Sequence, residues 1–566
     1  MTAIEQSADL VVVNGQLHGT GEKSAAPTSL AIKGSKIIAL GNEAVESLIG
    51  TNTRVIDANG GAVLPGINDG HLHFVESAVS QHGTLSVGSD HAQSWGEVAA
   101  ILQAATPASD GWIRAHGWDE VILGSGGPDQ LFGLREDAPV VAYDQTGHQL
   151  LLNKTAARLA KLEDYTDGYP DGVVGTFADG SANGLLVDAA VELAGQVIPQ
   201  LSDADIRRCI LEHQHFLHSL GITSLTEPGL GPGGEGLFGG SSASRSLRLL
   251  ADLAVEQELS LRINALMLFS STGGANAEDT RTGLASDLPG SLGARGINED
   301  QLRIAGVKIF ADGIPRSGTA WMSEPYQTPC GHAHGSMVIV GDTDAAREAE
   351  LHRIIGHIHA AGLQAGIHAT GDATTAAAIR AIAAAQLADD REARHYIIHG
   401  GFSGAQTLNE TLKDFTDHGV GLSTNPAIRA EAGALMKSIL GADRFKIHQP
   451  LASFLEAGVP TNIASDAPVT SPDWRESVIA AVTRDSSAGP AEKQDAQKTD
   501  FAQALAMMTS MPAWQDHAET RKGRLEVGLL ADVCILEQPV TDDIYALREN
   551  RTAHTISNGN LVYSAG

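Results

Sequence analysis

The sequence predicts an α/β protein: a TIM-like (β/α)8 barrel, a small β-sandwich formed by both termini, and a subdomain inserted after the first barrel strand. Three observations predict it. Eight short apolar runs alternate with helix-patterned, often Ala-rich stretches through the middle of the chain. The two ends instead carry β-branched runs punctuated by Gly and Asn. One interval, between the first and second runs, is far too long for a loop.

Taken in order, residues 9–60 give short strand-like runs separated by turns: DLVVVNGQLHG, SLAIKGSKIIALG and TRVIDANG. The run AVLPGI before His71 is the first candidate barrel strand. The stretch from Phe74 to Gly221 contains its own β-like and helical pieces, among them GWIRAHGWDE, APVVAYDQTGHQLLLN and GLLVDAAVELAG. Its inserted subdomain is expected over about residues 82–195. Seven further runs follow: ITSLTEPG (222–229), LRINALMLF (261–269), IAGVKIFADG (304–313), LQAGIHATGD (363–372), HYIIHGG (395–401), VGLSTNPA (420–427) and TNIASDAP (461–468). The tail returns to β-patterned sequence in GRLEVGLLADVCILEQ and HTISNGNLVYSAG, which predicts a sandwich from residues 1–63 and 516–566 around a barrel spanning 64–515.

Composition narrows the function. A formal charge of −30, with no Lys/Arg-rich run, argues against nucleic acid as a partner. The N-terminus has no basic segment followed by an apolar one, and no apolar stretch reaches membrane-spanning length, so a soluble cytoplasmic protein is expected. Three scattered cysteines, Cys209, Cys330 and Cys534, are too few for a disulfide framework or a thiolate cluster, which leaves nitrogen and oxygen as metal ligands.

Six potential ligands close strand-like runs in one order: His71 and His73, Lys308, His368, His399 and Asp466. With 22 histidines in 566 residues, about one His-x-His triplet is expected by chance, and there are four. His213/His215 and His357/His359 sit in helix-patterned sequence, where residues two apart face different ways. His332/His334 lies in a Gly/Pro-bounded loop. His71/His73 follows a short apolar strand, and alternate residues at a strand end share a face, so both imidazoles can converge on one cation. In a (β/α)8 barrel the C-terminal strand ends carry the chemistry, and all six candidates fall at or near such ends.

Nine segments in order resemble the metal-dependent amidohydrolase superfamily, in particular the broad group that includes N-substituted formamide deformylases. They are LPGINDGHLH (64–73), GWD (117–119), GHQLLLN (147–153), GITS (221–224), VKIFADG (307–313), IHATGD (367–372), IIHGG (397–401), ASDAPV (464–469) and KGRLEVGLLADVCIL (522–536). The resemblance implies a binuclear centre. His71, His73 and Asp466 would hold one divalent ion, and His368 and His399 a second. Lys308 would bridge them as a carbamate formed with carbon dioxide, because a carboxylated lysine supplies two anionic oxygens where a neutral amine is a poor bridge. Zinc is the first expectation for the ions, with manganese or iron as alternatives. Without that resemblance, Lys308 would read as a salt-bridged barrel lysine and Asp466 as the start of an Asp-Ala-Pro turn.

The chemistry implied is attack by a metal-bridging hydroxide on a non-peptide C–N bond, an amide or N-substituted formamide. Asp466 would act as general base and then acid. His148 matches a family position near the substrate, where it would donate a hydrogen bond to the developing oxyanion; an ordinary buried histidine is the competing reading. Arg316, Trp321, Phe74 and Trp118 are candidate substrate contacts, each set against plain packing or a loop ion pair. Asp312 is expected to cap a loop or support ligands rather than bind metal. The chain departs from the family at SLTEPG, at IPRSG and just after Asp372 in IHATGDATT, where a basic residue is usual; none of these changes falls on the six ligands, which leaves the substrate open. Alternatives are hydrolysis of a cyclic amide, carbamate, ester or lactone at the same site, or a catalytically silent metabolite-binding regulatory protein. A small-molecule substrate and a homodimer are the expected partners.

Overall fold

The computed structural model describes residues 7–20, 28–108, 110–145, 149–169, 172–188, 190–234, 241–327, 333–401 and 407–566. The chain divides into two compact units, one of residues 1–73, 214–233 and 250–566, the other of residues 74–213 and 234–249.

The first unit contains an eight-stranded parallel sheet: β1 (Ile67–Asp69), β2 (Ile222–Leu230), β3 (Arg262–Met267), β4 (Leu302–Phe310), β5 (Gln364–Ala369), β6 (Tyr396–His399), β7 (Gly421–Thr424) and β8 (Thr461–Ile463). Each strand pairs in parallel with the next, and β1 and β8 stand at the two ends of the order. Just beyond these strands the ends meet through backbone bonds, Asp466 N–H to His71 O at 2.9 Å and His73 N–H to Ala467 O at 3.0 Å. The sheet is thus a nearly closed barrel, as the eight apolar runs predict.

Helices cover the outside. Asp372–Gln386 buries Ala377, Ala378, Ile379, Ala381, Ile382 and Ala385, an Ala-rich face that lets it lie close to the sheet. Its neighbour Asp344–Ala360 is capped by Thr343, whose hydroxyl accepts Ala346 N–H, and buries Leu351, Ile354, Ile355 and Ile358 in the same core. Inside the barrel Leu266, Tyr396 and Ile398 pack together. A Cβ on Gly366 would stand 2.7 Å from Leu266 Cδ1 and 2.9 Å from Tyr396 Oη, so only glycine leaves them room. At the strand origins a histidine chain is fixed in direction. Ala365 N–H donates to His395 Nδ1 (2.9 Å), His395 Nε2 faces His359 Nδ1 (2.9 Å), and His359 Nε2 meets Asp389 (3.1 Å).

Both chain ends build the sandwich. One sheet holds, in spatial order, Lys36–Leu40, Leu30–Lys33, Leu10–Val13 and Arg54–Asp57; the other holds Gln16–Leu17, Ala62–Pro65, Val533–Leu536, Thr552–Ser557 and Asn560–Ser564. Val12, Ile32, Ile37, Val63, Val533 and Ile556 close one shared core. The run AVLPGI therefore corrects the expected first barrel strand, since it splits at Gly66. Its first four residues pair with Val533–Leu536 in the sandwich, and only Ile67–Asp69 joins the barrel. A side chain at Gly66 would collide with Thr223 and Asp532, which allows the chain to switch sheets at glycine alone.

The second unit is wider than the subdomain expected over about 82–195 and includes residues 234–249. Its sheet runs Gly172–Thr176, Ala182–Asp188, Gln149–Leu152, Val140–Asp144, Ile113–Trp118 and Leu85–Ser86. Strand alternation separates two cores: Val141, Leu150 and Leu152 face one, Val140, Ala142 and Leu151 the other. Cys209 and Cys534 are free and buried; Cys330 lies outside the described residues. Among the described residues no helix is long and apolar enough to cross a membrane.

Two predictions follow from this packing. Arg262, buried at the start of β3, donates to Asp532 (2.7 and 3.3 Å), Asn558 Oδ1 and Asp300 O, tying barrel to sandwich. Arg262→Ala strands the Asp532 charge and should cost about 3–5 kcal/mol in urea unfolding, whereas removing both partners should cost less. Burial also holds His395 down to about 3 and His218 down to about 4, against 6.5 when free. Below pH 6.5 the unfolded chain therefore takes up protons that the folded chain does not, and the urea midpoint should fall between pH 7 and pH 5.

Candidate metal centre and active site

The barrel seam assembles the first three ligands. Backbone atoms alternate after β1: Leu72 N–H bonds to Thr226 O on the β2 side, while His71 O and His73 N–H face residues 466 and 467. The two imidazoles consequently turn towards Asp466, whose Oδ1 lies 3.1 Å from His71 Nε2 and 3.5 Å from His73 Nε2. One ligand atom from each of the three falls within 4.8 Å of the others. Asp69 holds this corner. Its carboxylate accepts His71 N–H (3.1 Å) and Ser465 N–H (3.3 Å), fastening β1 to the turn that carries Asp466.

The other three candidates converge on the same end. His399 lies 5.7 Å from His71 and 4.6 Å from His368, ring centre to ring centre. Lys308 is buried on β4, its Nζ 4.7 Å from the Phe310 ring, and Phe310 in turn packs on His368. His399 and Asp466 both adopt left-handed backbone, φ 71° and 58°, a conformation uncommon outside glycine and concentrated at functional sites.

Electrostatics suit a cation. Burial, reinforced by Lys308, drives His71 well below its ordinary value, and burial with the neighbouring His399 does the same to His368. Burial also lowers His399 against the pull of Asp466. Burial would raise the Asp466 carboxyl, but His71 and His73 outweigh it and hold it well below the usual range. Neutral imidazoles beside an ionised carboxylate form the protonation pattern of a metal site. Burial pushes Lys308 down to about 8, opposed by Asp466 and Glu227. Both ring nitrogens of His71 are buried with no hydrogen-bond partner beyond the Asp466 carboxylate 3.1 Å from Nε2, and a coordinated ion would satisfy one of them. The residues present therefore fit a divalent cation.

A family model described as Amidohydrolase family matches residues 54–563. The chain belongs to the amidohydrolase family. Among its relatives, the protein LONG AFTER FAR-RED 3 of Arabidopsis thaliana is 24% identical over 95% of this chain and 88% of its own. The N-substituted formamide deformylase of Arthrobacter pascens is 22% identical over 99% of both chains. The crystal structure of an uncharacterized metal-dependent hydrolase from Pyrococcus horikoshii shares the fold, with a TM-score of 0.70 at 23% identity over 94% of this chain and 97% of its own.

In this amidohydrolase the expected substrate contacts fall in different places. Arg316 is exposed in a single 3-10 turn, Pro315–Ser317, and Trp321 is half-buried with its side chain packed on the barrel core. Phe74 and Trp118 belong to the second unit, where both are buried. Phe74 packs on His213 at 5.7 Å, and Trp118 packs on Trp95 while donating Nε1–H to Ala142 O. Packing accounts for both aromatic rings. His148 lies outside the described residues. Of the remaining His-x-His pairs, His213/His215 and His357/His359 are helical as read, and His334 contacts Met322 O.

Asp312 caps loops, one of the two roles expected for it. Fully buried, it accepts N–H bonds from Thr370, Gly371 and Trp321 and hydroxyl bonds from Thr370 and Thr374, and lies 3.6 Å from His368 Nε2. One carboxylate thus pins the loop after β4 to the loop after β5. Gly371 completes the joint, because any side chain there would overlap the Trp321 carbonyl. Sequence reading missed Asp69 and Asn425; the signal for the first was its place two residues before His71, in NDGHLH. Asp312→Ala orphans several buried donors at about 1–3 kcal/mol each, so thermal denaturation should show a loss of at least about 3 kcal/mol.

Proposed function

We propose that this chain hydrolyses a non-peptide C–N bond, an amide or N-substituted formamide, at a centre of two divalent cations, with zinc the first candidate. The observation that carries the proposal is the convergence of His71, His73 and Asp466 within 4.8 Å, beside Lys308, His368 and His399. His71, His73 and Asp466 would hold one cation, and His368 and His399 the other. Lys308, pushed by burial towards its neutral amine, would add its Nζ to carbon dioxide and release one proton, giving a carbamate whose two oxygens would serve the cations. When bound, the cations supply Lewis acidity, acidifying a water and polarising the scissile carbonyl.

The chain's own residues supply the proton path. Hydrolysis adds water across the C–N bond: the attacking oxygen joins the carbonyl carbon, and the nitrogen leaves with a proton. Asp466, ionised and anchored beside His71 and His73, takes the proton from the attacking water and passes it to the departing nitrogen. His71 and His73 hold that carboxylate in place, and Asp312 sets the loops around His368. A formamide is the leading substrate because a relative matching 99% of both chains carries that activity in its name. His148 and Arg316 are the residues proposed to meet the substrate.

Elemental analysis of protein purified without chelator tests the centre. About two divalent ions per chain are expected, falling sharply in Lys308→Ala; one ion unchanged by that substitution would make the centre mononuclear and Lys308 structural. Turnover of a panel of formamides, amides, cyclic amides and esters tests the reaction. Asp466→Asn should lower kcat by about 10²–10⁴-fold on whichever substrate is found. Ligand binding without metal or turnover would instead identify a silent binding protein.

A further inference from the structure

We propose that Asn425 is the positioning residue that decides which ring nitrogen His399 presents to the metal centre. The inference rests on the metal-centre reading above and extends it beyond the ligands.

Asn425 is buried and sits immediately before the helix Pro426–Leu440. An asparagine there ordinarily gives its side-chain oxygen to a backbone N–H of the first turn. Here it makes no such capping bond. The amide points across the strand ends instead. Its Nδ2 lies 3.0 Å from Ala464 O, and its Oδ1 lies 2.7 Å from His399 Nδ1.

These two distances fix the protons. The carbonyl oxygen of Ala464 can only accept, so the amide must turn its NH2 group towards it. Oδ1 then faces His399, and it too can only accept. His399 Nδ1 must therefore carry the hydrogen, which leaves the lone pair of the neutral ring on Nε2. The other tautomer would press two acceptors together in a buried site. The backbone that carries the amide is itself held. Asn425 O accepts Gln449 Nε2–H (3.0 Å), Gln449 N–H bonds to Gly401 O (2.7 Å), and Arg484 holds Gln449 O (2.7 Å). The same side chain ties His399 on β6 to residue 464, two positions before Asp466, so it sets the geometry of ligands proposed for both ions.

The test compares full-length wild type, Asn425→Ala and Asn425→Asp, each stripped of metal and titrated with zinc against a chromophoric chelator. Asn425→Ala should weaken zinc binding by about 10–100-fold, the range found when the partner of a ligating histidine is removed. Asn425→Asp keeps an acceptor opposite His399 Nδ1 and should stay within several-fold of wild type, a rescue that general damage to the fold would not produce. A crystal structure of zinc-loaded wild type, which needs no variant to fold, should show His399 Nε2 facing an ion. Coordination through Nδ1, or wild-type affinity in Asn425→Ala, overturns the proposal. Equal losses in the two variants also overturn it and assign the effect to the Ala464 contact. Wild type that takes up no zinc, manganese or iron would instead sink the metal-centre reading itself.

Discussion

The seam between β8 and β1 is the constraint on which the rest of the site depends. Two backbone hydrogen bonds and the Asp69 carboxylate bring residues 465–467 against residues 69–73. Without that closure His71 and Asp466, almost four hundred positions apart, would have no reason to meet. The closure also explains the backbone strain: Asp466 is held left-handed while its own N–H reaches His71 O. Strain of this kind, about 1–3 kcal/mol per residue, persists only where surrounding bonds over-determine it.

Around the seam the site is built as a buried polar shell rather than an apolar pocket. Asp69, Asp312 and Asn425 are each buried, and each touches a candidate ligand or the turn that bears one. Their partners are mostly backbone N–H groups and carbonyls, which cannot rotate away as side chains can. That rigidity suits a centre whose six candidate ligands come from five different strands and whose lone pairs must converge to within a fraction of an ångström. It also explains why the loop after β4 is seated on Gly371, where added bulk has nowhere to go.

Much of this was legible in the sequence. Eight apolar runs correspond to the eight barrel strands, because strands buried on both faces write themselves as continuous apolar sequence. Histidines at strand ends stood out because His-x-His on a strand has a geometric meaning that it lacks on a helix. The first strand is misplaced in the sequence reading because AVLPGI is one unbroken apolar run, and only the close approach of Thr223 and Asp532 to Gly66 shows the change of sheet. Asn425 is not singled out by the sequence because it stands inside the strand-like run VGLSTNPA, where nothing shows that its amide reaches His399 and Ala464 across the strand ends. Phe74 and Trp118 read as plausible walls because a sequence does not distinguish an aromatic ring that lines a cleft from one that fills a core.

The strand Ala62–Pro65 pairs on one edge with Gln16–Leu17 and on the other with Val533–Leu536. On a ribosome the second edge must wait for more than four hundred further residues. At about 5–20 residues per second that is roughly half a minute to a minute and a half. Throughout that interval a fully apolar strand has an open hydrogen-bonding edge, the kind of template on which chains aggregate. Protein yield in a cell should therefore respond to elongation speed and chaperone supply more strongly than the stability of the finished molecule would suggest.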